Sequence, residues 1–208
     1  MGLYDKDIRE ILLREFLETS EFSDDRSTVI VNELDVCSGS AIMDMTLING
    51  KIHGFEIKSE HDTLERLQTQ SYYYNQVFDT VTLVCSSKHL DKAMALIPDW
   101  WGIYSVNGTS KNSYQMNIIK EPQSNKSIDI FHLCEMLWKP ELITLLKISG
   151  TDKGIKSKTR RELAKIISET IETKIVTSFV KHALKNRKAW KARPLRQEYG
   201  EKQLSSPN

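Results

Sequence analysis

The stretch Ala41 to Glu60, AIMDMTLINGKIHGFEIKSE, decides how the chain reads. Asn49-Gly50 between two alternating apolar runs is a strong short-range hairpin signal. It predicts two strands that carry three polar residues foreign to a core: Asp44, Glu56 and Lys58. Side chains alternate between the faces of a strand. A two-residue loop pairing Ile48 with Lys51 would set Asp44 beside Phe55 and Ile57, and Glu56 beside Met43 and Met45. Both faces would then mix carboxylates with core residues. A three-residue loop, Ile48-Asn49-Gly50, with Gly50 left-handed as a bulge, pairs Leu47 with Lys51 instead. In that register Met43, Met45, Leu47, Phe55 and Ile57 form one apolar face. Asp44, Glu56 and Lys58 converge on the other. The bulged register is the expectation.

Two acids and a lysine on one sheet face are costly unless a cation binds there. Hard divalent cations prefer carboxylate oxygens. A metal on Asp44 and Glu56 polarises a phosphate, and Lys58 orients water or neutralises charge in the transition state. The competing reading is a solvated polar face. The pattern Met43-Asp44, eleven residues, then Glu56-Ile57-Lys58 resembles the PD-(D/E)XK nuclease superfamily, with Met43 in place of the proline. The resemblance implies phosphodiester hydrolysis in DNA, a Mg²⁺ ion (Mn²⁺ substituting), and the Ile57 carbonyl as a further ligand. It covers about residues 5 to 106 and implies a restriction-endonuclease-like α/β fold, a mixed sheet flanked by helices.

Around the hairpin the chain alternates α, three strands, α, strand, α, strand. Asp5 to Glu18 has helical apolar spacing through Ile8, Ile11, Leu12 and Phe16. Arg9 and Glu15 project into that arc. Many members of the superfamily take an acidic residue from the first helix, so Glu10 and Glu15 are candidates beside Arg9; snorkelling at the arc's edge is the alternative. Ser20 to Ser27 reads as a polar loop, and Thr28 to Val36 as the first strand, with Glu33 a secondary metal-ligand candidate. Asp62-Thr-Leu-Glu65 has the form of a capping box and predicts a helix to about Phe78. Gln70 and Tyr74 stand one turn apart on it. With Arg66 they resemble the Gln-x-x-x-Tyr of some branches of the superfamily, which implies a role in supporting substrate. Thr80 to Cys85, Trp101 to Val106 and Tyr114 to Lys120 read as strands, and Lys88 to Ile97 as a short helix.

Glu121 to Lys126, EPQSNK, is the expected boundary between a core over residues 1–122 and a helical region over 123–208. Helices are predicted over Ile128 to Trp138, Pro140 to Ile148, Thr159 to Thr170 and Ile175 to Arg187, with a frayed tail from Lys188. The net charge of +1 conceals an asymmetry. From Lys139 onward 17 Lys/Arg face 7 Asp/Glu; of the totals of 29 and 28, the first 138 residues keep 12 and 21. An acidic half with a metal site and a basic half suit an enzyme acting on a polyanion. Lys156, Lys158, Arg160, Arg161, Lys181, Lys185 and Arg187 are the DNA-contacting candidates. The last two helices read either as a helix-turn-helix or as a cap on the core.

The three cysteines, Cys37, Cys85 and Cys134, are far apart and odd in number, which argues against a disulfide framework. No apolar run reaches membrane-spanning length and MGLYDKDIRE is no signal peptide, so a cytoplasmic location is expected. The expected function is a Mg²⁺-dependent deoxyribonuclease. The alternative is a non-catalytic DNA-binding or regulatory protein on the same fold.

Overall fold

The structure is a computed structural model describing residues 2–187 and 190–198. Helix α1, Asp5–Glu18, begins where the Asp7 carboxylate accepts the Tyr4 N–H, and it buries Ile8, Ile11, Leu12, Leu13 and Phe16. The next stretch is not the expected polar loop. Ser20–Ser23 forms a short helix, α2, because Phe22 packs edge-on against Phe16 and Phe55. Strands β1 (Val29–Val36), β2 (Ala41–Ile48) and β3 (Ile52–Lys58) follow, then helix α3, Leu67–Tyr74. α3 starts four residues later than the capping-box pattern predicts, with Arg66 rather than Asp62 at its N-cap. The Asp62 carboxylate accepts backwards from the N–H and hydroxyl of Ser59 and holds the loop after β3 rather than a helix end. Strand β4 (Thr80–Cys85), helix α4 (Leu90–Met94) and strands β5 (Gly102–Ser110) and β6 (Ser113–Lys120) complete the first part.

After β6 come α5 (Ile130–Cys134), α6 (Lys139–Ile148), α7 (Arg160–Thr170) and α8 (Thr173–Asn186). The EPQSNK stretch is pinned to the core: Asn125 donates to the carbonyls of Asn75 and Phe78. Nor is the C-terminal region all-helical. Ala192–Pro194 forms strand β7, paired antiparallel with β1. Of the expected frayed tail, residues 188–189 and 199–208 lie outside the described residues.

The result is an α/β protein with a seven-stranded mixed sheet in the order β6-β5-β4-β3-β2-β1-β7. The β3–β4 and β4–β5 pairs are parallel and the others antiparallel. Helices cover both faces. One core joins Val81, Leu83 and Cys85 to α3 and to Leu145, Ile167, Val176 and Val180 of the last helices. The other joins Met45, Leu47, Phe55 and Val84 to α1. The three cysteines are free and buried. Among the described residues no helix is long and apolar enough to cross a membrane.

Candidate active site at the splayed end of β2 and β3

The hairpin register differs from both considered in the sequence. Ile48 pairs with Ile52 and Met45 with Phe55, so the loop is Asn49-Gly50-Lys51. Gly50 is not at positive φ. The turn is held by Asn49, whose side-chain oxygen accepts the N–H groups of Gly50 (2.6 Å) and Lys51 (3.0 Å). An Asx-type bond replaces the left-handed glycine. The shift is two residues from the bulged register, so β3 keeps its expected faces: Phe55 and Ile57 lie toward α1, Glu56 and Lys58 away from it.

β2 does not keep its faces. Met45 and Leu47 lie in the core under α1, but Met43 lies in the core under α3, its methyl against Gly54. Strict alternation would put Met43 and Met45 together, so the strand turns over at Asp44. β1 turns over at the same rung. Val31 and Leu34, three residues apart, share one core, and Glu33 between them has φ 53°. Asn32 pairs with Met45 and Leu34 with Met43, which puts Glu33 opposite Asp44. Glu33 is exposed.

This reversal sets the site. The β2–β3 ladder stops at Met45–Phe55, and beyond it the Asp44 carboxylate takes the N–H of Ile57 at 2.8 Å. Asp44 therefore sits in the gap between the strands rather than flat on the face of Glu56. Arg9 reaches it from α1, donating to its carbonyl (2.6 Å) and to Oδ1 (3.0 Å) while also holding Asp5. Glu56 is buried on the α3 side. Its Oε1 accepts from Lys58 Nζ (2.5 Å) and Gln70 Nε2 (2.7 Å), and its Oε2 from the Tyr74 hydroxyl (2.7 Å). Gln70 and Tyr74 thus meet Glu56 directly. Gln70 Oε1 is buried with no partner among the described residues, an unsatisfied acceptor at the site. Burial, and then the charge of Glu56, push the Asp44 carboxyl up to about 7, against the Ile57 N–H and Arg9, which pull it down.

Other candidates lie elsewhere. Glu10 pairs with Lys111, and Glu15 accepts from the Tyr114 hydroxyl, so neither acid of α1 reaches the site. Arg66 is exposed at the start of α3. Among the described residues no group of three or more His, Cys, Asp and Glu could hold a metal, so Glu33 does not join Asp44 and Glu56. A cation here would rest on two carboxylates and backbone. The Lys58 carbonyl accepts the Ser86 N–H of the β4 side, so Ile57 turns its own carbonyl toward β2, where the ladder has ended. The carboxylates of Asp44 and Glu56 and this carbonyl are the hard oxygen donors that Mg²⁺ takes. Arg9 and Lys58 now balance their charge.

Of the basic candidates, Lys181 pairs with Asp79 and Lys185 with Asp25 (both 3.0 Å). Arg187 pairs with Glu141. These three fasten α8 to the rest of the molecule. Arg161 lies over the Phe131 ring, Arg160 donates to Ser38, and Lys156 is exposed while Lys158 is half-buried. The Arg9–Asp44 contact was legible only as a basic residue intruding on an apolar helix face.

Fold and site define an α/β protein with a seven-stranded mixed sheet and an acid–lysine cluster where two of its strands part. The chain belongs to the bacteriophage P4 protein cII family, whose model matches residues 3–206. It is 27% identical over 158 residues to protein cII of Enterobacteria phage P4, across 76% of this chain and 59% of that protein. The chain thus spans less than two thirds of that relative's length. A solved structure, the SPO1766 protein of unknown function from Silicibacter pomeroyi, overlaps 48% of this chain and 63% of its own at 17% identity and a TM-score of 0.34.

Proposed function

We propose that the protein is a metal-dependent nuclease of the PD-(D/E)XK class, with a restriction-endonuclease-like core, that hydrolyses phosphodiester bonds in DNA. The observation that carries this reading is Asp44 in the gap where the strands part, near enough for the charge of Glu56 to act on it, with Lys58 on Glu56. Asp44, Glu56 and the Ile57 carbonyl would hold Mg²⁺ or Mn²⁺, which supplies charge neutralisation and Lewis-acid polarisation of the phosphodiester. In hydrolysis a water oxygen bonds to phosphorus, one ester P–O bond breaks, and a proton ends on the leaving oxygen. Lys58 places an ammonium beside the charge that builds on the phosphoryl oxygens. Gln70 and Tyr74 fix the Glu56 carboxylate from the other side, as supports rather than reacting groups.

A second reading is favoured by one observation: both oxygens of Glu56 already accept hydrogen bonds inside the protein. On that reading the cluster is a structural polar network and the protein is a non-catalytic DNA-binding or regulatory protein. Incubating labelled single-stranded and duplex DNA with the protein and Mn²⁺, with and without EDTA, separates the two. EDTA-sensitive cleavage that disappears in Glu56→Ala supports the nuclease. No cleavage of either DNA, or cleavage unaffected by EDTA, overturns it.

A further inference from the structure

Between β1, α7 and the segment after α8 lies a cleft of about 350 Å³, within the size range of small-ligand pockets, roughly 300–1,000 Å³. Two indoles line it. The Arg187 guanidinium lies between them, 4.2 Å from the Trp138 ring centre and 4.4 Å from that of Trp190. Glu141 holds Arg187 through two nitrogens. Each indole therefore gives one face to the cation, and Trp138 is still 43% exposed. A large aromatic ring held rigid on one side and left wet on the other is a stacking platform.

The opposite wall is a strained turn. Cys37, Ser38 and Gly39 are all left-handed, with φ of 48°, 57° and 85°. For the first two this costs about 1–2 kcal/mol each. Strain of this kind persists where surroundings enforce it and gathers at functional sites. Here the Ser38 hydroxyl donates to Glu135 and accepts from Arg160 (3.1 Å), which brings Arg160 to the cleft mouth. Lys191 stands on the same rim, donating to the Glu33 carbonyl. Of the acids, Glu135 is engaged by Ser38 and His132, and Asp35 by Lys191.

One β1–β2 pair links the cleft to the strand that carries Asp44. Asp35 lines the cleft and pairs with Ile42, whose side chain is 49% exposed two residues before Asp44. That spacing is about 7 Å along a strand. We propose that the cleft holds single-stranded DNA, stacking an unpaired base on Trp138 and taking the adjoining phosphate on Arg160 and Lys191, and so feeds the strand to Asp44 and Glu56. The proposal rests on the nuclease reading for its last clause and on the cleft alone for the rest. A duplex does not fit it, because its bases are already stacked on one another.

The test is fluorescence anisotropy of labelled oligo(dT), in EDTA so that nothing is cut. Oligo(dT) should bind more tightly than a duplex or free thymidine monophosphate. Trp138→Leu, which keeps apolar bulk, should weaken binding about 5- to 150-fold, the scale of one lost stacked base. Trp138→Phe should retain most of it. Arg160→Ala, at an exposed residue, should flatten the log–log salt dependence by about 0.7, one phosphate on a single strand. Equal binding by the wild type, Trp138→Leu and Arg160→Ala overturns the cleft, as does a preference for duplex or for the mononucleotide. Oligo(dT) held through Trp138 but never cut with Mn²⁺ upholds the cleft and overturns the nuclease reading. Oligo(dT) that is cut while Trp138→Leu binds normally does the reverse.

Discussion

Arg9 clamps Asp44 twice, through its backbone carbonyl at 2.6 Å and its carboxylate at 3.0 Å. A helix residue thus reaches the one position where β2 leaves β3. The Arg9 side chain is only 16% exposed and that of Asp44 23%. Removing one partner of a largely buried pair leaves the other uncompensated, at a cost of about 3 kcal/mol. Arg9→Met should lower the melting temperature of the metal-free protein. Because the competing cation is gone, Mn²⁺ should restore more of the loss than it adds to the wild type. Thermal shift with and without Mn²⁺ measures both; a variant that melts like the wild type would show the clamp to be idle.

The metal-holding and rate-assisting roles come apart in the next set of variants. Asp44→Ala and Glu56→Ala should abolish Mn²⁺ binding by calorimetry together with cleavage. Lys58→Ala should keep the metal, since an ammonium is no ligand, and lose about 10²-fold or more in rate. Loss of Mn²⁺ binding in Lys58→Ala as well would mean that lysine orders Glu56 rather than serving the reaction.

Asp44 and His53 should pull stability in opposite directions with pH. The Asp44 carboxyl is raised from 3.8 to about 7, so the folded state binds its proton more tightly than the unfolded chain. Its contribution is full below about 4 and lost as pH climbs through 7, at most about 4 kcal/mol over the window. Burial lowers His53 from 6.5 to about 4, so it costs stability as pH falls through that range. The wild type should therefore change less on acidification from pH 6.5 to 4 than Asp44→Asn, in which only the His53 loss remains. Urea melts of both across that range decide it, and parallel curves would refute the raised Asp44.

Gly54 tests the reversal of β2. A Cβ there would sit 2.5 Å from the Met43 methyl and 3.1 Å from Phe78. Gly54→Ala should cost about 1–3 kcal/mol by overpacking, and Met43→Ala should relieve part of it in the double variant. Strict additivity would put Met43 on the other face.

Much of this was legible in the amino-acid order. Helix α1 has its expected ends, Thr80–Cys85 is the buried central strand its apolar run predicts, and the Glu56–Lys58 spacing places both on one side. Helical spacing put Gln70 and Tyr74 on one side of α3, but nothing in it placed them on Glu56, where both are found. The loop at Asn49 was not legible, because Asn-Gly serves a left-handed turn and an Asx bond equally well. The strand reversal at Asp44 was hidden too. Alternation is a local rule, whereas the reversal is shared with Glu33 on a neighbouring strand. The basic residues of α8 looked free for DNA only because their acids, Asp25, Asp79 and Glu141, are far away in sequence.

Strand β7 bears on how the molecule behaves in a crowded solution. Without it the outer side of β1 would present a row of open backbone donors and acceptors, a template on which a second molecule's strand can grow. Ala192–Pro194 covers that row from Val29 to Val31. It is only three residues long and ends in a proline, which has no N–H to offer a newcomer. The sheet is stopped on this side by a short, poor polymerisation edge. A version of the protein cut after α8 would lose Leu195 from the core under α1 and should gain a tendency to pair edge to edge or exchange strands, visible as aggregates that grow with concentration.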